Sequence, residues 1–324
     1  MTETIQTTPA QTGATAGRPR RGAEGARAKA RAGTRLTDLL GALPWIGPAL
    51  ILIFGIVLFP AAVMFYNSTR DISMSGVDKG FVGFANYQTL LDFEPLGGIM
   101  FRTLIWVVAV VGITVVLSLG LAQLLNKAFP GRQLVRLAVI IPWAASVVMT
   151  TLVIYYGLEG YIGIINKFLV DINLIDEPYG WTKNAVSAFS WSIGIAVFVS
   201  LPFTTYTILA GLQTVPGEVL EAAKMDGAGP ARTYFGIVLP QLRGALSVAI
   251  LINIINVFNS LPILKTMTGS IPGYDADTVM TMIFKYIQNE HKIDVASALS
   301  VVAFLIVIVI VAIYVKLVKP MKEV

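Results

Sequence analysis

Asn253, Asn256, Asn259 and Ser260 recur at helical spacing inside an otherwise apolar stretch. At about 100° per residue they fall within an arc of about 120°, one face of a helix. Carboxamides and hydroxyls donate and accept hydrogen bonds without carrying charge, which suits contact with a neutral, polyhydroxylated solute. The same groups also bond neighbouring helices together in membranes. Lining of a pathway and interhelical bonding both stand on these residues, and neither excludes the other. A second set lies just upstream in the polar run 211–243, where Glu218, Glu221, Ala222, Ala223, Asp226, Gly227 and Ala228 are followed by Pro240. Thr214-Val215-Pro216 marks a helix start, Gly227 a left-handed stop, and Gly229-Pro230 a second start. The product is two short helices bent at a glycine, with Leu220, Ala222 and Ala223 as a small apolar patch beside acidic charge. A connector between antiparallel helices needs only about 2–8 residues, so a segment of this size is expected to dock a partner.

Residue types that would support catalysis are missing. The chain has no cysteine, and its one histidine, His291, sits between Glu290 and Lys292 as a solvated surface residue would. No G-x-x-x-x-G-K-[ST] run is present, so the chain is not its own P-loop ATPase. No metal-ligand set or nucleophile–base arrangement is legible. Catalytic and metal-binding residues are therefore expected to be none.

The elements that must hold these residues are membrane helices. Hydrophobic residues make up 55% of the chain and charged ones only 13%, against about 25% charged in soluble domains. Six stretches lack Asp, Glu, Lys and Arg altogether: 44–66, 103–125, 137–158, 185–210, 244–264 and 295–315. Each reaches the roughly 20 residues a helix needs to cross about 30 Å of hydrocarbon. The expected fold is an all-α membrane protein with six transmembrane helices and the helix–Gly–helix loop between spans 4 and 5. With the N-terminus in the cytoplasm, the inner segments hold 16 of the 24 basic residues, which places both termini on the cytoplasmic side. Residues 1–40 read as a disordered basic cytoplasmic tail, with Arg18, Arg20, Arg21, Arg27, Lys29, Arg31 and Arg35, followed by a six-span domain over 41–324. The basic balance thus follows from topology and calls for no nucleic acid. Within the fourth span Pro202, flanked by Ser200, Thr204 and Thr205, is expected to kink or break the helix. Pro142-Trp143 and Leu261-Pro262 invite the same reading, and Tyr155 and Tyr156 read as an interfacial belt.

The run from Glu221 to Pro240 resembles the loop by which permeases of binding-protein-dependent ABC importers engage their ATPases. The family pattern E-A-A-x-x-D-G-A, then I-x-L-P, is matched by Glu221, Ala222, Ala223, Asp226, Gly227, Ala228, Ile237, Leu239 and Pro240, with Phe235 in the apolar run between. Phe81-Val82-Gly83 with Asn86-Tyr87, Ile141-Pro142-Trp143, Ala210-Gly211-Leu212-Gln213 and Ala296-Ser297-Ala298-Leu299-Ser300 extend the likeness over roughly 41–317. It is most similar to the carbohydrate-uptake, maltose-type group. Gly269-Ser270-Ile271-Pro272 departs from that group's Gly-Gly-Pro in the last outer loop. The resemblance implies a non-enzymatic permease subunit in a prokaryotic inner membrane, forming half of a pathway for a sugar. It implies a second permease subunit, two ATPase subunits that carry ATP and Mg, and an extracytoplasmic solute-binding protein; no cofactor would sit on this chain. Glycerol phosphate or another small polar solute is the alternative cargo. An ion-coupled secondary transporter would need intramembrane carboxylates, and the spans offer none.

Overall fold

The computed structural model describes residues 41, 42 and 44–318. The reading of 1–40 as a disordered tail, and the position of both termini, lie outside the described residues. The chain divides into two units, one ending at Ala62 and one beginning at Val63. The described part of the first is apolar helix, belonging to the span α1 (Pro44–Asn67) and loosened into a π-helical stretch over Ile53–Leu58. Trp45, Phe54 and Ile56 are exposed there, as side chains solvated by lipid need to be.

In the second unit, a hairpin of β1 (Arg70–Ile72) and β2 (Asp78–Phe81) precedes α2 (Ala85–Leu91). Arg70 pairs with Asp78 at 2.7 Å, and Tyr66 donates to the same carboxylate. These bonds hold the Asp78 carboxyl below the usual carboxylate range, the Arg70 contact contributing most. Asn86, buried, donates to the carbonyls of Ser68 and Arg70 and ties α2 to the hairpin. This hairpin is an addition to the all-α expectation.

The long helix α3 (Leu96–Asn126) starts well before the apolar stretch at 103, so that Arg102 stands on the helix itself. The third apolar stretch is not one helix. It forms α4 (Arg132–Ala144) and α5 (Val147–Gly157), bent by 95° at the extended residues Ala145 and Ser146. Pro142 withholds an N–H from the last turn of α4, which lies directly before that break. A short α6 (Ile164–Asp171) follows, then α7 (Ala185–Gln213), whose start is capped by Asn184 accepting from the N–H groups of Val186 and Ser187. Pro202 sits inside α7 without ending it. Thr204 and Ser118 direct hydroxyls at the carbonyls of Ser200 and Leu201, at 2.9 and 3.5 Å, and satisfy backbone around the proline.

Next come α8 (Gly217–Met225), α9 (Pro230–Gln241, π-helical over Tyr234–Val238) and α10 (Arg243–Phe258), with a bend of 68° between the last two. α11 (Pro262–Thr268), α12 (Val279–Gln288) and α13 (Ile293–Val318) complete the chain. The fifth apolar stretch is thus cut at Asn259, with Pro262 opening a separate helix. Among the described residues, four helices are long and apolar enough to span a membrane, or up to six if each bent pair is one span.

Two cores hold the second unit together. The larger gathers Trp106, Val110, Ile195, Val257, Leu264, Met282 and Leu299 from α3, α7, α10, α11, α12 and α13. Trp106 is fully enclosed and its indole N–H donates to the Val257 carbonyl at 2.8 Å, so a polar hydrogen inside an apolar interior has an acceptor. The smaller core joins Ala122 and Leu125 of α3 to Ile208, Leu209 and Leu212 of α7, with Val238 and Leu242 closing it.

Candidate coupling and translocation sites

The polar run 211–243 folds as α8 and α9 around Gly227. Gly227 adopts φ +74°, a conformation that costs other L-residues about 1–2 kcal/mol. Its N–H donates to Lys224 and that of Ala228 to Ala223, the paired bonds of a Schellman stop that satisfies the last carbonyls of α8. Ala223 is buried while Glu221, Ala222, Met225, Asp226 and Gly227 are exposed. Met225 presents 89% of its surface, a large apolar side chain left uncovered among charges. Ala228 is half-buried, and Pro240 lies in the last turn of α9. Six of the seven residues expected to engage a partner therefore cluster at the end of α8 and its stop, with Pro240 apart from them.

α9 leads into α10 through Leu242, which is buried in the smaller core. Opposite it, Gly211 of α7 leaves no room for a side chain: a Cβ there would stand 2.6 Å from the Ala245 Cβ and 3.2 Å from Leu242 Cδ2. The two helices touch nearly backbone to backbone at this point, as small residues permit in membrane helix pairs.

Further along α10 a cavity of about 410 Å³ opens. Asn253, Asn256 and Ser260 line it from α10 and the residues just beyond, with Ala196, Ser200 and Phe203 of α7 and Trp143 of α4 facing them. The four polar residues singled out from the sequence behave differently. Asn253 is buried and donates to Thr204 Oγ1 at 2.7 Å and to the Ala249 carbonyl at 2.9 Å, a bond between α10 and α7. Asn256 is exposed and Ser260 half-buried. Asn259 closes α10 and bonds back to the Ile255 carbonyl at 2.8 Å, outside the cavity lining. Trp143, 67% exposed, and Ser200 are the residues sequence reasoning had not placed here. Trp143 was visible only as the neighbour of Pro142, which signalled a kink there but not the 95° bend that turns Trp143 toward α7. No Lys, Arg, Asp or Glu lines the cavity.

At the opposite end of α3, Arg102 donates to the carbonyls of Tyr274 and Asp277, at 2.7 and 3.1 Å, and Thr103 accepts from the Val279 N–H. The Asp277 carboxylate is almost wholly buried and pairs with Lys285 at 2.5 Å, while Lys285 also donates to the Gly273 carbonyl. At the start of α12 the Thr281 hydroxyl accepts from the Thr278 N–H at 2.9 Å. Burial pushes the Tyr286 hydroxyl up to about 12. The last inter-helical loop is thereby clamped to α3.

Apolar helices of membrane length, with a largely apolar and uncharged cavity among them that carries Asn and Ser groups, fit a multi-pass membrane protein. The chain belongs to the binding-protein-dependent transport system inner membrane component family, whose model matches residues 114–322. It is a permease subunit of an ABC importer, embedded in the inner membrane, and not itself the catalyst of ATP hydrolysis. A probable ABC transporter permease of Brucella suis is 34% identical over 83% of this chain and 93% of that protein. The sulfoquinovosyl glycerol transport system permease SmoG of Agrobacterium fabrum is 30% identical over 88% and 92%, respectively. The trehalose/maltose permease MalF of Thermococcus litoralis is 28% identical over 83% and 90%. In fold the chain is similar to one in the crystal structure of a bacterial alginate ABC transporter bound to its periplasmic protein, with a TM-score of 0.73 at 19% identity over 88% of this chain and 95% of that one.

Proposed function

We propose that this subunit forms half of the pathway by which a sugar, delivered by an extracytoplasmic binding protein, crosses the inner membrane. The observation that carries the cargo class is the cavity lining. Asn256, Ser200 and Ser260 offer hydrogen-bonding groups without charge beside the face of Trp143, a combination that suits hydroxyls on one side of a pyranose and C–H groups on the other. Relatives named for sulfoquinovosyl glycerol and for trehalose/maltose support the same class. Glycerol phosphate is the second reading, since the sn-glycerol-3-phosphate permease UgpA of Yersinia pestis is 28% identical over 78% of this chain. The lack of a cation in the lining speaks against a phosphate there.

In this reading 41–324 is the six-span domain, each bent pair counting as one span, with 1–40 a basic tail and both termini in the cytoplasm. The α8–Gly227–α9 element faces the cytoplasm. There Glu221, Ala222, Ala223, Asp226, Gly227 and Ala228 seat the subunit on an ATPase, and Pro240 ends the run. A second permease subunit and two ATPases complete the transporter, and closure of the ATPases on ATP shifts the spans between inward- and outward-open states. Asn256 and Ser260 contact the solute, whereas Asn253 and Asn259 keep α10 in shape. Purification of the tagged chain from its host tests the assembly: a P-loop ATPase, a second permease and a secreted binding protein are expected to accompany it. Ligand screening of that binding protein then tests the cargo. A binding protein selective for a phosphate ester over every neutral sugar would overturn the sugar reading.

A further inference from the structure

The segment between α5 and α7 carries a surface that transport leaves unused. α6 folds straight back onto the end of α5: a Cβ on Gly163 would stand 2.3 Å from the Glu159 carbonyl, and one on Gly157 would meet Ile165 at 3.1 Å. The Glu159 carboxylate accepts from the N–H groups of Tyr161 and Ile162 at 2.7 and 2.9 Å, which lowers its pKa and turns both side chains outward. They are 89% and 85% exposed. On the inward side Asn166 is buried. Its Nδ2 donates to the carbonyls of Glu159 and Tyr179, and its Oδ1 accepts from the Trp181 indole at 2.8 Å. The helix is therefore fixed in orientation.

The outward face is divided. Ile164, Phe168 and Ile172 are exposed and follow one another at intervals of four. At about 100° per residue they cover about 80° of the helix circumference. Lys167 and Asp171, also exposed, occupy the adjoining 40° or so on one side only. A helix lying in the plane of a lipid–water boundary sorts its exposed face this way, because one edge meets acyl chains and the other meets headgroups and water. A soluble partner would also meet an apolar strip with a charged rim, so what decides between the two is the setting of the helix in a membrane-spanning fold. The apolar edge begins against the end of α5, with Ile164 Cγ2 3.8 Å from where a Cβ on Gly157 would stand, so it adjoins a helix pair that passes for a membrane span.

We propose that α6 is an interfacial helix, with Tyr161, Ile162, Ile164, Phe168 and Ile172 set into the acyl-chain boundary and Lys167 and Asp171 at the headgroups. Its depth rests only on the membrane-spanning fold. Its assignment to the outer leaflet rests on the proposed topology.

The chain contains no cysteine, so single-cysteine variants need no background changes. I164C, F168C and K167C are made in the full chain, purified with the subunits that accompany it, labelled with an environment-sensitive fluorophore and placed in lipid nanodiscs. At positions 164 and 168, blue-shifted emission is expected, quenched several-fold more strongly than at 167 by a phospholipid bearing a nitroxide near the headgroup. Aqueous iodide is expected to show the reverse order. Equal iodide access at all three positions would overturn the proposal, leaving α6 in water. Protection of 164 and 168 from both quenchers would overturn it too, placing another protein chain on the stripe. Labelling of K167C in intact cells by a membrane-impermeant maleimide is read separately. Reaction only from the cytoplasmic side would refute the topology and leave the depth result untouched.

Discussion

Glu221 and Gly227 act through different physics, and their variants separate the two. Glu221 is exposed and has no ion-pair partner among the described residues, so Glu221→Lys is expected to leave the fold intact and to reverse a charge that, in the proposed docking, meets an ATPase. Uptake is expected to fall to background while the amount of protein in the membrane stays the same. Gly227→Ala meets no neighbour and carries only the cost of its positive φ, about 1–2 kcal/mol. A partial loss of uptake is expected, deepening at higher temperature. The asparagines divide in the same manner. Asn253→Leu removes the bond between α10 and α7, while Thr204 keeps its bond to the Ser200 carbonyl, and is expected to cost about 0.5–1.5 kcal/mol of stability, read as a lower Tm in detergent. Asn256→Leu is expected to spare Tm and depress uptake. Equal behaviour of the two variants would mean that the cavity does not carry the solute. Helical periodicity put all four polar residues on one face. What each one bonds depends on Thr204 and on where the helix stops, and neither is written in the spacing of α10.

Among the elements, apolar length and the glycine and proline signals fixed most of what was legible. α8, its stop at Gly227 and the restart at Pro230 were set by local chemistry alone, and they form where that chemistry places them. A break near Pro142 was legible from the proline, but its 95° size was not, because both halves are apolar and the spacing of residues carries no angle. The clamp on α12 was missed because Arg102 lies 172 and 175 residues from the Tyr274 and Asp277 carbonyls it holds. Lys285→Met leaves a buried carboxylate without its cation, and a loss of about 3–5 kcal/mol is expected. Lys285→Arg should recover part of it in the same thermal assay. The hairpin gives a pH test. Asp78 is held below its ordinary pKa, so its contribution is present above about pH 4, the unfolded value, and is lost as pH falls through the lower folded value. Amide exchange in 70–81 is expected to quicken below about pH 4, and Asp78→Asn should remove that step.

At the scale of the molecule, the six apolar stretches sufficed for the class of protein, and the run 221–240 for the family. Cargo was not legible, since it depends on a cavity built by residues about 50 to 110 positions apart, from Trp143 through Ser200 to Ser260. The point where Gly211 meets Leu242 and Ala245 joins the projecting element to that cavity. α7 and α10 also meet further along, at the Asn253–Thr204 bond, but only here is there no room for a side chain, and this point is expected to act as a fulcrum. From Leu242 to Asn256 the helix is about 21 Å long at 1.5 Å per residue. A tilt of about 10° there would carry Asn256 by about 3.6 Å, more than the length of a hydrogen bond. The α9 side of the same bend, from Leu242 back to Pro230, is about 18 Å long on the same rise, so a stroke at one end is matched by one of similar size at the other. A methyl group at position 211 would jam the fulcrum by forcing the helices apart. Gly211→Ala is thus the substitution expected to uncouple the two ends while leaving both of them correctly built.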